Sequence, residues 1–290
     1  MPSDQVNMKK GFLLILGFWL AACTPLSQTA VLESLTQSLV PTQTETPLPS
    51  QTATQIPSTS TAVPTATEIL HTVCCPLEEE TLDSLRLILI NPLKIPPIGH
   101  DDGHHGVDFA YFQRGERESI QGIEVYAILS GKVVLTLEDD IPYGYTVMIE
   151  TPLSELSENL QQTLLAGYLE IPEEVVTQGQ CPSMNIPVLT GEKSVYHLYA
   201  HLETRPSIKP GDSVQCGELL GTVGNSGLSS NPHLHLETRL GPSGADLSTM
   251  AFYNPTYSEK QRSTYCLWRM SGYYQLFDPF IIFETENWDT

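Results

Sequence analysis

Three short stretches hold the side chains able to do chemistry. The turn-rich approach Gly224-Asn225-Ser226-Gly227 leads through Asn231-Pro232 into His233-Leu234-His235-Leu236-Glu237. On an extended backbone side chains two apart share a face. His233 and His235 therefore lie together, while Leu234 and Leu236 turn into apolar packing. Two imidazoles on one face can hold a divalent metal ion or work beside one. The second stretch, Gly99 to Ala110, contains His100, Asp101, Asp102, His104, His105 and Asp108. In an extended backbone His104 and Asp108 have the same parity and His105 points away, which selects His104 with Asp108 as a ligand pair, one imidazole nitrogen and one carboxylate oxygen. His100, Asp101 and Asp102 compete for the role on chemistry alone. The third stretch, Ser194 to Leu202, puts His197, Tyr199 and His201 on one face and so presents a further imidazole, with one of its histidines left to packing or to the surface.

These stretches need rigid elements to bring them together. Leu85-Arg86-Leu87-Ile88-Leu89-Ile90 reads as an opening strand, and Pro92, Pro96 and Pro97 make the next segment an irregular loop. Gly122 to Thr136 and Tyr143 to Glu150 are rich in β-branched and aromatic residues and punctuated by glycine, the pattern of antiparallel strands joined by tight turns. No run within these two stretches looks like a crossover helix, which argues against a parallel sheet. Between Leu153 and Tyr168 the apolar residues Leu156, Leu160, Leu164 and Leu165 recur at helical spacing, and Pro172, Pro182 and Pro187 mark a looped excursion after them. Pro210 to Gly224 is a series of turns between short strands. It lacks the Gly-Lys-Ser or Gly-Lys-Thr and the adjoining helix that a phosphate-binding loop requires. The expected fold is mainly β: an antiparallel sheet domain with a short helical insertion, preceded by a disordered stalk.

The flanking sequence gives an address. Lys9-Lys10 followed by the apolar run Gly11 to Leu20 has the form of an export signal and is too short to span a bilayer. It ends in Leu20-Ala21-Ala22-Cys23, which resembles the lipobox of bacterial lipoproteins. That resemblance implies removal of residues 1–22, a lipid on Cys23 and anchoring by acyl chains. Residues 23–73 are dominated by Thr, Ser, Gln and Pro and cannot bury enough apolar surface to offset their ordering entropy. Within it the segment from 41 to 67, extended at roughly 3 Å per residue, reaches on the order of 80 Å. The formal charge of -20 and pI near 4.6 argue against a nucleic-acid partner, which calls for clustered Lys and Arg. Cys74, Cys75, Cys181, Cys216 and Cys266 match no zinc-finger spacing. Their odd number leaves at least one outside any intrachain disulfide.

With His104-x-x-x-Asp108, Tyr199-Ala200-His201-Leu202 and His233-x-His235 in this order, and with Gly106, Pro210-Gly211-Asp212 and the glycine-rich approach to Pro232 in support, the chain resembles the lysostaphin-like zinc metallopeptidases, the glycyl-glycine endopeptidase type. The resemblance runs from about Leu85 to Leu240. It implies a duplicated hybrid motif, a β-sheet domain with one zinc ion in a groove over the sheet. It also implies His104, Asp108 and His235 as the zinc ligands and His201 and His233 as catalytic histidines that do not bind the metal. The domain then occupies 80–285, with insertions at about 151–192 and 245–277, and Asp278-Pro279-Phe280 corresponds to a closing motif displaced downstream. Pro97-Ile98-Gly99-His100 stands where the family often has an aromatic-Gly-x-Arg stretch. The function this implies is that of an exported, surface-anchored zinc endopeptidase acting on peptidoglycan cross-bridge or stem peptides in cell wall remodelling. The alternative is a non-catalytic relative that binds peptidoglycan or activates an amidase.

Overall fold

The computed structural model describes residues 73–172, 174–177, 181–252 and 254–285. All belong to the compact unit Thr65–Thr290. The signal at 1–22, the lipid site Cys23 and the linker 23–73, apart from Val73, lie outside the described residues. Among those described, no helix is long and apolar enough to cross a membrane.

The domain is mainly antiparallel β. In chain order its strands are β1 (Leu89–Asn91), β2 (Val107–Phe109), β3 (Glu124–Tyr126), β4 (Gly131–Asp140), β5 (Gly144–Pro152), β6 (Lys193–Leu202), β7 (Ser213–Val214), β8 (Leu219–Thr222), β9 (Leu234–Pro242) and β10 (Gln275–Leu276). The main sheet runs β1-β2-β9-β6-β5-β4-β7, with β10 also paired to β9, and β3 and β8 form a separate ribbon. Every described pairing is antiparallel. The pair β6 and β9 forms the spine. Ala200 lies opposite His235, Leu198 opposite Glu237 and Tyr196 opposite Arg239.

Alternation along these two strands sorts the core into two layers. Val195, Tyr199, Leu234, Leu236 and Leu240 join the larger apolar cluster on one face. Tyr196, Leu198 and Ala200 join a second cluster on the other face. That second face is covered by α2 (Glu259–Arg269), which contributes Tyr265, Leu267 and Trp268. His235, Glu237 and Arg239 alternate with the leucines of β9, so they share the face that α2 covers.

The opening segment departs from the expected strand. Ser84–Leu87 is a 3-10 turn, and the strand begins only at Leu89. Leu85 and Ile88, three apart, are both buried, whereas Leu87 is 85% exposed, so the apolar run follows a three-residue repeat rather than a two-residue one. Within 151–192 the helical spacing forms α1 (Glu158–Gly167), capped by Ser157, whose side chain accepts from the Leu160 N–H. The segment 245–277 also carries a helix, α2, opened by a capping box between Ser258 and Gln261. A final helix, α3 (Phe280–Thr285), starts directly after Asp278-Pro279, and its Phe280 packs edge-on against Phe109. Disulfides join Cys74 to Cys216 and Cys181 to Cys266, and Cys75 keeps a free thiol. The second disulfide ties the 151–192 excursion to α2.

Candidate metal centre

The main sheet brings three of the five singled-out side chains onto one point. One nitrogen each of His104 and His235 and one oxygen of Asp108 all lie within 4.8 Å of one another. Asp108 Oδ1 is 3.0 Å from His104 Nε2 and 2.8 Å from His235 Nδ1. Register accounts for this, because β2 pairs with β9 so that Asp108 lies opposite His235. His104 is placed by a two-bond bridge between its backbone and that of Lys94, and its Nδ1–H donates to the Pro92 carbonyl at 3.0 Å. That bond leaves Nε2 as the ring atom facing Asp108. Asn91, opposite Asp108 on β1, donates to Asp108 Oδ2 at 3.0 Å and holds the carboxylate from its other side. Gly106 lies against β9 so closely that a Cβ there would sit 2.8 Å from His235 Nε2 and 2.6 Å from the Leu236 carbonyl oxygen.

The two further histidines stand beside this cluster. His201 and His235 have ring centroids 5.8 Å apart, and His201 and His233 have theirs 4.7 Å apart. His233 Nε2 is 3.5 Å from Asp108 Oδ1. Both side chains are held in the same manner. His201 Nδ1–H donates to the Ser226 carbonyl at 2.8 Å, and His233 Nδ1–H donates to the Asn231 carbonyl at 2.8 Å. Each therefore offers an unprotonated Nε2.

The expectation that His197, Tyr199 and His201 share a face is corrected. His197 and Tyr199 lie in the apolar layer, where His197 Nδ1 accepts from the Tyr199 hydroxyl at 2.8 Å and Nε2–H donates to Thr151 at 3.0 Å. His201 departs from strand alternation because its φ is +60°, in the left-handed region. A non-glycine residue held there costs about 1–3 kcal/mol. The conformation is fixed from both ends, since the His201 N–H donates to the Tyr143 carbonyl at 2.9 Å and its own carbonyl accepts from Gly224 at 3.0 Å. The resulting turn carries the imidazole to the face of His235. The other acidic and imidazole side chains of the 99–110 stretch stay out of the cluster. His100 is exposed, and its Nδ1 lies 3.4 Å from Asp102 Oδ1. Asp101 takes its partners from α2, and His105 is buried against Arg239.

Electrostatics separate the two histidine sets. Burial opposes charge on Asp108, yet hydrogen bonds with His104 and His235 outweigh it and hold the carboxyl well below the usual range. Burial also works against a charged His235, but Asp108 and Glu237 override it and push that imidazole up to about 9. His201 is pushed down to about 3, first by burial and then by neighbouring His235 and His233. His233 is lowered as well, chiefly by burial.

The donor set fits a zinc ion. Two imidazole nitrogens and one carboxylate oxygen are three protein ligands, the number found in catalytic rather than structural zinc sites. Ligand atoms around a tetrahedral zinc lie roughly 3.3 Å apart, so the observed 3.0 and 2.8 Å separations need to open by only a few tenths of an ångström.

Residues 174–247 match the model of peptidase family M23, a span that contains His201, His233 and His235. Similar solved structures include the catalytic domain of the antimicrobial peptidase lysostaphin from Staphylococcus simulans, at 19% identity and a TM-score of 0.36, covering 71% of this chain and 100% of that one. The catalytic domain of the prophage-encoded M23 protein EnpA from Enterococcus faecalis matches at 21% identity and a TM-score of 0.31, over 54% of this chain and 82% of that one. A zinc containing peptidase from Vibrio cholerae matches at 19% identity and a TM-score of 0.28, over 59% of this chain and 34% of that one.

Sequence reasoning does not single out several residues that shape this centre. Ser226 supplies the carbonyl that fixes His201, while its hydroxyl donates to the Leu202 carbonyl at 2.7 Å and accepts from the Tyr145 N–H at 3.0 Å. Asn91 and Tyr143 belong to the same group, and nothing local in their sequence marks them. Glu237 does carry a signal, since it has the parity of His233 and His235 on the same strand.

Proposed function

We propose that this chain is an M23 peptidase, a zinc metalloendopeptidase that hydrolyses peptide bonds in peptidoglycan, in cross-bridges or stem peptides, and remodels the cell wall. One observation carries the reading: His104 Nε2, Asp108 Oδ1 and His235 Nδ1 converge while two neutral imidazoles stand beside them. His104, Asp108 and His235 would hold the metal. When bound, zinc supplies Lewis acidity and lowers the pKa of water at its open position from about 15.7 to about 7. His201 and His233 each have Nδ1–H engaged by a backbone carbonyl, so each can move a proton only at Nε2. Burial keeps both uncharged at neutral pH, in the form that accepts a proton from an attacking water. Once protonated, either imidazole can steady the oxyanion or protonate the leaving amine, and the adjacent Asp108 carboxylate favours that charge. His201 and His233 share these duties.

The wall as substrate and the membrane as anchor are supported by a sequence with the form of an export signal, a lipobox-like cysteine at 23 and an extended polar stalk, together with the match of residues 174–247 to peptidase family M23. The protein would be exported and lipid-anchored, facing the cell wall or periplasm.

Metal analysis of the purified chain, with mass spectrometry of defined muropeptides after incubation, tests the proposal. The expected result is about one zinc per chain and new peptide termini. His201→Ala should keep the zinc and abolish cleavage, whereas loss of zinc from that variant would move His201 into the ligand set. A chain that holds zinc and binds walls but releases no fragment would instead be the non-catalytic peptidoglycan-binding or amidase-activating relative.

A further inference from the structure

Beneath the ligand set lies a chain of buried polar groups that the mechanism does not use. His235 turns Nδ1 toward the point where His104 and Asp108 converge, 2.8 Å from Asp108 Oδ1, so with a metal ion held there Nδ1 would be the ligand atom and the ring proton would sit on Nε2. That nitrogen is buried and has no hydrogen-bond partner at normal length, and the acceptor it faces is Glu237 Oε2 at 3.6 Å. Gly106 closes the space beside the same nitrogen. Glu237 is fully buried and held from two directions, with Oε2 accepting from the Tyr143 hydroxyl at 2.7 Å and Oε1 accepting from Arg239 Nε at 2.5 Å. Tyr143 in turn accepts from Arg269 Nη1 at 2.9 Å. Arg269 also donates through Nε to Asp101, whose other oxygen accepts from the Tyr265 hydroxyl at 2.8 Å. Arg269 and Tyr265 both come from α2, inside the 245–277 insertion. Asp101 lies three residues before His104. The insertion is thus bonded to both sides of the ligand set, to His235 through Tyr143 and Glu237 and to the His104 loop through Asp101.

We propose that Glu237 is the positioning residue of the metal centre, holding His235 with its proton on Nε2 and its Nδ1 lone pair free, and that the inserted helix keeps this carboxylate in place through Arg269 and Tyr143. This rests on the metallopeptidase reading and extends it to the shell behind the ligands. A neutral imidazole bound through one nitrogen needs an acceptor for the proton on the other, and a carboxylate in that place both fixes the ring and strengthens it as a ligand. A buried carboxylate can serve only if its own charge is matched and its oxygens are directed. Arg239 supplies the countercharge, and Tyr143 directs the oxygen nearest His235. The insertion is therefore part of the metal centre.

The test uses the full chain loaded with Co2+, whose visible absorption reports ligand geometry, together with chelator competition for metal affinity. Glu237→Gln should weaken metal binding about 10- to 100-fold and alter the cobalt spectrum. Tyr143→Phe keeps the ring in the core and leaves Glu237 paired with Arg239, so it folds even if Glu237→Gln does not, and it should shift both readouts in the same direction by a smaller factor. Ser263→Ala serves as a control, because Ser263 seats α2 by donating to the Ser183 carbonyl and lies outside the relay. It should lower the melting temperature and leave metal affinity and spectrum unchanged. Wild-type affinity and spectrum in both Glu237→Gln and Tyr143→Phe would overturn the positioning role. So would a matching loss of affinity in Ser263→Ala, since general loosening would then suffice. A wild-type chain that takes up neither Co2+ nor Zn2+ would defeat the metallopeptidase reading itself.

Discussion

Gly106→Ala puts the geometry of the centre under the smallest perturbation that reaches it. A Cβ at this position would stand 2.6 Å from the Leu236 carbonyl oxygen and 2.8 Å from His235 Nε2, where ordinary contact begins at 3.4 Å. The added methyl must therefore push β2 and β9 apart by roughly 0.6–0.8 Å, an overpacking strain of about 1–3 kcal/mol. Leu236 is backbone that pairs with Val107, and His235 lies opposite Asp108, so the strain falls on the pairing that sets the 2.8 Å separation of His235 Nδ1 and Asp108 Oδ1. A functional site tolerates about 0.5 Å of displacement before its geometry fails. The expected outcome has two parts: an unfolding free energy lower by about 1–3 kcal/mol in urea, and a zinc dissociation constant raised at least about tenfold, or about 1.4 kcal/mol. Chelator competition measures the second part separately from the first. A variant destabilised by this amount that still binds zinc with wild-type affinity would refute the claim that Gly106 sets the ligand geometry.

Two further substitutions test parts of the fold away from the ligands. Gly167 ends α1 with no positive φ and nothing within 4 Å of an added Cβ, so Gly167→Ala should stabilise the chain by about 0.4–1 kcal/mol, read as a higher urea midpoint; a lower midpoint would contradict the open surroundings of that residue. His197 is completely buried and burial holds its pKa at about 3, below the ordinary 6.5. The unfolded chain therefore binds the proton that the folded chain refuses, so this contribution is complete above pH 6.5 and is lost as pH falls toward 3. Between pH 7 and pH 5 it amounts to about 2 kcal/mol. His197→Gln should flatten the decline in unfolding free energy over that interval by this amount, and an unchanged slope would show that the imidazole is not buried as described.

The site was legible in the sequence wherever strand alternation alone decides which way a side chain points. His235 and its flanking leucines obey the two-residue period of β9, and Asp108 meets His235 across a regular antiparallel pair. His201 was legible as a member of the site but not in its direction. Parity assigns it to the face of His197, and only the left-handed backbone at +60° turns it toward His235. That conformation is imposed by the Tyr143 carbonyl and by Gly224, distant in sequence, and a local pattern does not contain it. The helix α2 was hidden for a different reason. Its buried residues, Ser263 to Trp268, are consecutive and half of them are Ser, Thr or Cys, so they leave no apolar stripe at helical spacing, although Ser258 and Gln261 at capping-box spacing announce its start. The pairing of Cys181 with Cys266 joins two insertions that are far apart in the chain, and cysteine spacing cannot specify such a partner.

The buried ion pair of Glu237 and Arg239 contributes more to orientation than to net stability. Both side chains are almost completely removed from water, Glu237 at 0% and Arg239 at 2% exposure, so each has lost solvation that their mutual attraction only partly restores. An apolar pair of equal volume would hold the same two layers together at least as well. Apolar side chains would not direct an acceptor toward His235 or give α2 a point of attachment. Arg239 also donates through Nη1 to the carbonyls of Trp268 at 2.8 Å and Tyr274 at 2.7 Å, so the countercharge is itself fixed by the end of α2 and the segment leading into β10. Truncating either partner leaves an unmatched buried charge, a loss of about 3–5 kcal/mol, and would unseat the helix and the carboxylate together. The sheet sets the approximate positions of His104, Asp108 and His235 by register. The orientation of the His235 ring about its own bonds depends on groups that register does not control, and these are the groups that α2 holds.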